Sequence, residues 1–374
     1  MRNPFIMSGY ISPDYFCDRE NESAEFIRKV TNGNNLVLIS SRRMGKTGLI
    51  EHCFLQSKIQ KHFYTFYIDI YATNNLNEFV YKLGKEIFEG LKPKGKKFVE
   101  QFFSVITSLR PAFKLDEISG TPVFDIGIGD IHSPEFALEE IFKYIDLAGK
   151  PCIVAIDEFQ QIAKYPQKNV EATLRTYIQH CKNATFVFAG SQRHILQNIF
   201  FSSSRPFYQS TALLTLDVID EKAYTEFASR LFSLGEKQIS KELIKKAYQL
   251  FEGHTWYVQA IYNELFSSLN ENEECTEKHF FEAINNRILS YENLFASTLN
   301  LLPERQRELL YAIAKEGKAK GITSGAFIKK HGLHSSGSVQ TSAIQLLDKE
   351  IITQENNIYS VYDRFFGLWL SKIF

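Results

Sequence analysis

One loop determines which fold this chain adopts, and it reads Ser40-Ser41-Arg42-Arg43-Met44-Gly45-Lys46-Thr47. It follows the phosphate-binding pattern G-x-x-x-x-G-K-[ST], except that Ser40 stands in the first glycine position. An apolar run at 36–39 precedes it, and a stretch with Leu49 and Cys53 on one helical face follows it. A bare Gly-Lys-Thr is often only a surface turn, but the flanking strand and helix favour a phosphate loop. The sequence therefore predicts a strand-loop-helix unit of an α/β fold.

Each part of this loop has a chemical task at a bound phosphate. Backbone N–H groups at a helix N-terminus carry partial positive charge, and Gly45 lets the backbone approach an anion without a Cβ in the way. Lys46 is predicted to contact the β- and γ-phosphates, and the Thr47 hydroxyl is predicted to ligate Mg²⁺. The nucleotide-binding residues predicted on the loop are Arg42, Arg43, Met44, Gly45, Lys46, Thr47 and Gly48.

The second half of the predicted site is a strand that ends in two acids, Cys152-Ile153-Val154-Ala155-Ile156-Asp157-Glu158. In open α/β sheets, ligands bind at the carboxyl ends of the strands. Asp157 is therefore predicted to hold Mg²⁺ through a water molecule, opposite Thr47. Glu158 is predicted to orient or deprotonate the attacking water. The alternative for Asp157 is a helix N-cap, which the phosphate loop in the same sheet makes less favourable.

The remaining pattern divides the chain into three parts. Short apolar strands alternate with helices through the first half, which favours a parallel sheet covered on both faces. Only helices are predicted next, and the last part shows three helices followed by two β-prone runs, which is a winged-helix pattern. We therefore predict a nucleotide-binding domain at 1–217 with a hairpin insertion at about 111–130, a helical lid at 218–298 and a winged-helix domain at 299–374.

Composition excludes several classes of protein. Lys plus Arg equals Asp plus Glu at 43 each, so bulk charge indicates neither nucleic acid nor membrane as a partner. The five cysteines are scattered with no C-x-x-C spacing, which argues against a disulfide framework or a zinc ribbon and favours a reducing compartment. The sequence has neither an apolar run of membrane-spanning length nor a secretory signal. We expect a soluble cytoplasmic protein that does not associate with membranes.

The chain resembles the prokaryotic, archaeal-type ATPase family in the AAA+/STAND group of P-loop NTPases. The resemblance implies an AAA+-like parallel sheet with a helical lid and a C-terminal winged helix, with ATP or ADP and Mg²⁺ as cofactors. The motifs that carry it follow the family order over essentially the whole chain. They are Phe16-Cys17-Asp18-Arg19-Glu20, Arg42-Arg43-Met44-Gly45-Lys46-Thr47, Ala155-Ile156-Asp157-Glu158-Phe159-Gln160, Phe188-Ala189-Gly190-Ser191, Gly253-His254-Thr255-Trp256-Tyr257-Val258-Gln259 and Tyr359-Ser360-Val361-Tyr362-Asp363-Arg364-Phe365-Phe366.

The resemblance also implies roles for residues outside the loop. Arg19 and Glu20 fall where the family's chain passes the adenine and ribose. Ser191 falls at the sensor position for the γ-phosphate, and His254 begins the lid helix that faces the nucleotide. An ordinary helix-start residue is an equal alternative for His254. Thr255 stands where relatives often carry proline, which weakens the implied adenine contact.

The implied arginine finger departs from the family pattern. Many relatives place an arginine after Pro-Leu-Tyr-Gly, whereas this chain reads Arg205-Pro206-Phe207-Tyr208-Gln209-Ser210. Arg205 is the candidate substitute, acting in its own site or, in a homo-oligomer, at a neighbour's. The alternative is a loop arginine in an exposed ion pair, which contributes little.

The predicted winged helix does not determine whether the protein binds DNA or another protein. Its third helix offers Gln340, Thr341 and Gln345 to DNA bases, and the segment 315–335 holds five lysines against one acid, Glu316. Such a patch can contact phosphates, but a solvated lysine face or a protein contact explains it equally.

The residues favour a Mg²⁺-dependent ATPase of low turnover whose nucleotide state moves the winged helix. The alternative is a nucleotide-dependent switch or DNA-binding regulator with negligible turnover, and a small-molecule kinase explains the lid and winged helix less well.

Overall fold

The computed structural model describes residues 2–91, 100, 104–106, 113–115, 122–124, 131 and 133–373. The chain forms two compact units. One is Ser8–Ala223, and the other combines Met1–Met7 with Tyr224–Phe374. Among the described residues, no helix is long and apolar enough to cross a membrane.

The unit Ser8–Ala223 alternates strands and helices. Its described elements are α1 (Glu20–Thr31), β1 (Leu36–Ser40), α2 (Lys46–Phe54), α3 (Ser57–Gln60), β2 (Tyr64–Asp69), α4 (Leu76–Gly90), β3 (Phe113–Leu115), β4 (Pro122–Phe124), α5 (Pro134–Asp146), β5 (Cys152–Asp157), α6 (Val170–His180), β6 (Ala184–Gly190), α7 (Arg193–Phe201) and β7 (Ala212–Leu216). Short 3-10 helices lie at Pro13–Tyr15 and Phe159–Lys164.

Five of these strands form one parallel sheet in the order β2-β5-β6-β1-β7. Every residue of β1 and of β5 is buried. Successive residues of β1 enter opposite cores: Val37 packs in the cluster that includes α4 and α5, and Leu36 packs in the cluster beneath α1 and α2. Both faces of the sheet are thus covered, which explains why these strands read as continuous apolar runs. The predicted parallel α/β sheet is confirmed.

The predicted hairpin insertion corresponds to the antiparallel pair β3 and β4, in which Phe113 lies opposite Phe124. The other residues of 111–130 lie outside the described part of the chain.

The second unit contains the lid and the winged helix. Its elements are α8 (Glu221–Leu234, beginning in the last residues of the first unit), β8 (Gln238–Ile239), α9 (Lys241–Leu250), α10 (Thr255–Ser268), β9 (Glu274–Cys275), α11 (Glu277–Leu289), α12 (Glu292–Asn300), α13 (Glu304–Glu316), β10 (Ala319–Lys320), α14 (Gly325–His331), α15 (Ser336–Asp348), β11 (Ile352–Glu355), β12 (Ile358–Val361) and α16 (Arg364–Ile373).

Two short pairings in this unit differ from the sequence prediction. Strands β8 and β9 form a parallel bridge in a region predicted to be purely helical. Strand β10 adds a third strand to the winged-helix hairpin, in the order β10-β12-β11. Strands of two residues are too short for a period-two pattern, so neither was expected. The winged helix itself is confirmed.

Lid and winged helix pack against each other inside this unit. The Phe365 ring lies 5.2 Å from that of Phe251 and 5.3 Å from that of Tyr257, measured between centroids. Beside them, the Glu252 carboxylate accepts from Arg364 at 3.2 Å and from Lys318 at 2.9 Å. The two parts predicted as separate domains therefore share one core, and their boundary at 298/299 stays a prediction.

The first residues of the chain complete the lid core. Phe5 is fully buried, with its ring 4.8 Å from that of Phe232 and 5.4 Å from that of Tyr262. The Asn3 side chain donates to the Asn263 carbonyl at 2.8 Å, and the Asn263 side chain donates to the Phe5 carbonyl at 2.7 Å. Residues 2–7 thus belong to the same compact unit as the lid, and the domain bounds predicted from the sequence stay predictions. A lone phenylalanine carries no periodic signal that could have shown this.

Candidate active site

The sheet topology brings three chain segments together at one edge. Because β1, β5 and β6 are parallel, their carboxyl ends lie at the same edge of the sheet. Strand β1 leads into the phosphate loop, β5 ends at Asp157, and β6 is followed by Ser191. Gly45 has a φ of +85°, a region that favours glycine, and no side-chain hydrogen bond caps α2 there. The first N–H groups of α2 are thus left for an anion.

Lys46 contacts both acids at the end of β5, Asp157 as its last residue and Glu158 just after it. Its Nζ donates to Asp157 Oδ1 in a short ion pair and to Glu158 Oε1 at 3.1 Å. Lys46 is 8% exposed and Asp157 is 3% exposed, and charges buried this deeply require partners. Burial raises the pKa of Asp157, but the Lys46 charge and the hydrogen bonds around the carboxylate outweigh it, so the pKa lies below its ordinary value. Asp157 is therefore ionised at neutral pH.

The Asp157 carboxylate accepts hydrogen bonds on both oxygens. Oδ2 accepts from Thr47 Oγ1 at 3.1 Å and from Tyr67 Oη at 2.6 Å. Oδ1 accepts from Lys46 and from the backbone N–H of Glu158 at 2.7 Å. Burial and the Asp157 charge raise the pKa of Tyr67, so its phenol stays protonated as a donor. Tyr67 was not among the predicted site residues, because a single sequence does not show that β2 lies beside β5.

The Glu158 carboxylate is held by Ser191, which follows β6, and by Gln160 in the 3-10 helix just after β5. Its Oε2 accepts from Ser191 Oγ at 3.0 Å and from the Gln160 side chain in a short hydrogen bond. Ser191 Oγ in turn accepts from Arg42 Nε at 3.2 Å, so it joins the phosphate loop to the predicted base. Gln160 is fully buried and its Oε1 faces Gly190, where an added Cβ would lie only 2.1 Å away. Gln160 is the last residue of a motif quoted above, but no role was predicted for it.

The oxygen ligands present fit Mg²⁺. A hydroxyl and a carboxylate, from Thr47 and Asp157, lie 3.1 Å apart at the end of the phosphate loop. Mg²⁺ in phosphate sites takes one or two such ligands and completes its shell with waters and phosphate oxygens. Across the described residues, no group of three or more His, Cys, Asp or Glu could hold a metal ion. The binding of Mg²⁺ by Thr47 and Asp157 stays a prediction.

Arg19 is engaged in contacts within the protein. Its guanidinium donates to Glu22 at 2.7 Å and to the Asp217 carbonyl, which ties α1 to the segment after β7. Arg19 is buried, whereas Glu20 is exposed as the first residue of α1. The contact of Arg19 and Glu20 with adenine or ribose stays a prediction.

Arg205 is docked on two helices. Its Nε donates to Asn198 Oδ1 at 2.7 Å on α7, and its Nη1 lies 3.2 Å from Glu171 Oε1 on α6. Burial raises the pKa of Glu171, and the Arg205 charge opposes that shift. The guanidinium thus compensates a buried acid in this arrangement, and the finger role stays a prediction.

His254 belongs to the second unit, at the start of lid helix α10. Its Nδ1 lies 3.1 Å from the Phe251 carbonyl. Burial and the nearby Arg364 charge lower the pKa of His254, so its imidazole is neutral at pH 7. Its predicted role facing the nucleotide stays a prediction.

The lysine patch of the winged helix is partly neutralised. Lys318 pairs with Glu252 of the lid at 2.9 Å, and Lys330 pairs with Glu316. The net charge of 315–335 does not include Glu252, which is distant in sequence and neutralises Lys318. Of the side chains proposed for base contacts, Gln345 accepts from Gln306 at 2.6 Å within the winged helix.

Two family models match the chain. Residues 16–261 match an ATPase domain found predominantly in Archaea, and residues 293–372 match a probable winged helix domain. The chain belongs to the archaeal-type ATPase family. The predicted family and its C-terminal winged helix are thus confirmed. No curated protein matches this chain significantly.

Solved structures share the fold of this chain over nearly its full length. A Walker-type ATPase of Pyrococcus abyssi is 18% identical with a TM-score of 0.67, covering 98% of this chain and 99% of that one. The ORC2 protein of Aeropyrum pernix, in ADPNP-ADP complexes, is 11% identical with a TM-score of 0.62, covering 100% and 96%. The ORC1 protein of the same organism, in complex with DNA, is 12% identical with a TM-score of 0.54 and the same coverage.

Proposed function

We propose that this protein is a Mg²⁺-dependent ATPase of low turnover whose nucleotide state moves the winged helix. One observation carries the proposal: Lys46 Nζ contacts both Asp157 and Glu158 at the strand edge where the phosphate loop opens. A cation, a metal-binding pair and a base thus converge where family members carry their nucleotide chemistry. The ADPNP-ADP complexes of the structurally similar ORC2 protein agree with ATP or ADP as the ligand.

The residues divide the work of hydrolysis. The phosphate loop from Arg42 to Gly48 cradles the phosphates, and Lys46 turns from the acids to the β- and γ-phosphates. Thr47 and Asp157 would hold Mg²⁺, which would supply positive charge to those phosphates. Glu158 orients or deprotonates the attacking water, and Ser191 links it to the loop through Arg42.

In this proposal, the lid transmits the nucleotide-dependent movement to the winged helix. Glu252 immediately precedes the Gly253-His254 turn, and it holds Arg364 and Lys318 of the winged helix. A nucleotide that repositions the start of α10 would therefore carry the winged helix with the lid as one body. Their common core around Phe365 supports this coupling.

The test of nucleotide binding is Lys46→Ala. A ligand at a hundred times its dissociation constant stabilises the folded state by about 2.7 kcal/mol, which corresponds to about 5–10 °C in melting temperature for a domain of this size. We expect wild type to show this shift with ATP and Mg²⁺, and Lys46→Ala to lose it.

The matched control is Lys150→Ala. Lys150 donates to the Lys61 carbonyl at 3.0 Å just before β5, at the amino end of the strands. A normal ATP shift in Lys46→Ala would show that the site is assigned wrongly.

The second candidate is a nucleotide switch or DNA-binding regulator with negligible turnover. It is favoured by the contacts of Arg205, whose guanidinium is bound to Glu171 and Asn198. The DNA complex of the ORC1 neighbour makes DNA a partner to test, although α15 contains no lysine or arginine. Steady-state ATP turnover with and without duplex DNA separates the candidates: turnover supports the ATPase, and its absence with retained ATP binding supports the switch.

A further inference from the structure

Tyr67 carries a hydroxyl at the centre of the proposed metal site. It lies on β2 opposite Ala155, two residues before Asp157. Its Oη donates to Asp157 Oδ2 at 2.6 Å and lies 3.3 Å from Thr47 Oγ1. It therefore contacts both residues that the proposed function assigns to Mg²⁺, and the family motifs quoted above do not include it.

The four donors around Asp157 fall into two classes. Lys46 and Thr47 belong to the phosphate loop, and each gives its donor to a different carboxylate oxygen. In the proposed nucleotide complex, Lys46 turns to the phosphates and Thr47 to the metal. The donors that remain are the Glu158 N–H on Oδ1 and the Tyr67 hydroxyl on Oδ2. With one donor on each oxygen, the orientation of the Asp157 carboxylate is fixed. Each oxygen keeps a lone pair that can accept from the water molecules around the metal.

The sheet fixes the position of Tyr67. Strand β2 pairs with β5 along its whole length, from Tyr64 opposite Cys152 to Asp69 opposite Asp157. Ile68 is buried in one core, and Tyr67 packs partly buried against the other. The sheet and its core thus set the strand and ring from which the hydroxyl reaches Asp157, and neither belongs to the phosphate loop.

We propose that Tyr67 is a positioning residue that orients Asp157 for Mg²⁺, an inference that rests on the proposed function. Hydrogen bonds that orient a metal ligand typically contribute 10- to 100-fold to metal affinity. Tyr67→Phe removes only the hydroxyl and keeps the ring. It should weaken metal binding about tenfold and leave metal-free nucleotide binding unchanged.

The experiment uses Mn²⁺ as the metal probe on the full chain saturated with ADP, with free Mn²⁺ measured by electron paramagnetic resonance. ADP binding in the presence of EDTA is measured in parallel. The matched control is Tyr144→Phe, which removes a buried tyrosine hydroxyl that donates to the Leu91 carbonyl at 2.6 Å in the same unit. The expected result is an approximately tenfold higher Mn²⁺ dissociation constant in Tyr67→Phe alone.

The outcomes separate this inference from the proposed function. Wild-type protein that binds no Mn²⁺ with ADP would overturn both. Wild type that binds Mn²⁺, with Tyr67→Phe binding it equally well, would overturn the role of Tyr67 alone. Equal weakening in Tyr67→Phe and Tyr144→Phe, or weakened ADP binding in EDTA, would reduce Tyr67 to a structural residue and overturn it too.

Discussion

Glu158 has a backbone conformation that glutamate rarely adopts, with a φ of +56°. Non-glycine residues in the left-handed region cost of order 1–3 kcal/mol and are retained where the surroundings enforce them. Here the carboxylate is fixed by Lys46, Ser191 and Gln160. The turn after β5 thus directs the acid toward the phosphate loop at some cost in stability, which fits a residue whose position matters for chemistry.

Glu158→Gln should preserve ATP binding and reduce hydrolysis at least about a hundredfold, because it removes a positioned base. The substitution also removes one of the two anions beside Lys46, so we expect ATP to bind at least as tightly as in wild type. Turnover is measured at saturating ATP, and binding by the thermal shift with ATP and Mg²⁺. Wild-type turnover in this variant would reassign Glu158 to a structural role.

Gly190→Ala tests the support behind Glu158. An added Cβ would lie 2.1 Å from Gln160 Oε1 and 2.9 Å from Leu196 Cδ1, so the buried Gln160 side chain, which donates to Glu158, must shift. Overpacking of this kind typically costs 1–3 kcal/mol. We expect a lower melting temperature and reduced turnover with ATP binding retained.

Gly149→Ala is the control for that substitution, since nothing lies within 4 Å of its added Cβ. If both alanine variants hydrolyse ATP like wild type, Gln160 does not support the base.

At the scale of elements, α16 anchors the winged helix to the lid. Phe365, its second residue, is 1% exposed and packs against Phe251 and Tyr257. Phe365→Ala should remove about 3–5 kcal/mol from this core. Calorimetry should then show an additional unfolding transition at lower temperature, with ATP binding by the other unit unchanged.

Phe281→Ala is the matched control, because Phe281 lies on α11 of the same unit and is 51% exposed. A thermogram of Phe365→Ala that is indistinguishable from that of Phe281→Ala would mean that the winged helix is stable without this contact, and the proposed coupling would lose its basis.

The elements also show how far the sequence alone can lead. Strands β1 and β5 were predictable because burial on both faces leaves continuous apolar runs, and the residues that follow them belong to recognisable motifs. Strands β8, β9 and β10 were not, since two residues carry no period. The convergence of Lys46, Asp157 and Ser191 follows from parallel strands sharing one edge. The contact of Tyr67 with Asp157 depends on strand order, which a single sequence does not encode.

At the scale of the whole molecule, the predicted finger role of Arg205 bears on whether one chain suffices for hydrolysis. If it acts on a neighbouring site, specific activity should rise with protein concentration, and Arg205→Ala should lower turnover without weakening ATP binding. A finger in trans contributes about 10³- to 10⁵-fold in rate. Mixing inactive Arg205→Ala with inactive Glu158→Gln should then restore partial activity through hybrid sites.

Glu171→Gln is the control for Arg205, because it weakens the same ion pair and leaves the guanidinium in place. Equal loss of turnover in Glu171→Gln and Arg205→Ala would indicate a structural role. Activity that is independent of concentration and of Arg205 would favour the nucleotide switch.

The burial of Phe5 in the lid also has a consequence for synthesis on the ribosome. Its ring packs on Phe232, Tyr262 and Phe266, which are translated more than 200 residues later. At about 5–20 residues per second, the interval before Phe266 is made lasts about 13–50 s. Throughout that time Phe5 lacks the aromatic rings that bury it, and most of the interval is spent making the residues of the unit Ser8–Ala223. The buried environment of Phe5 can therefore form only after the residues of the nucleotide-binding unit have been translated.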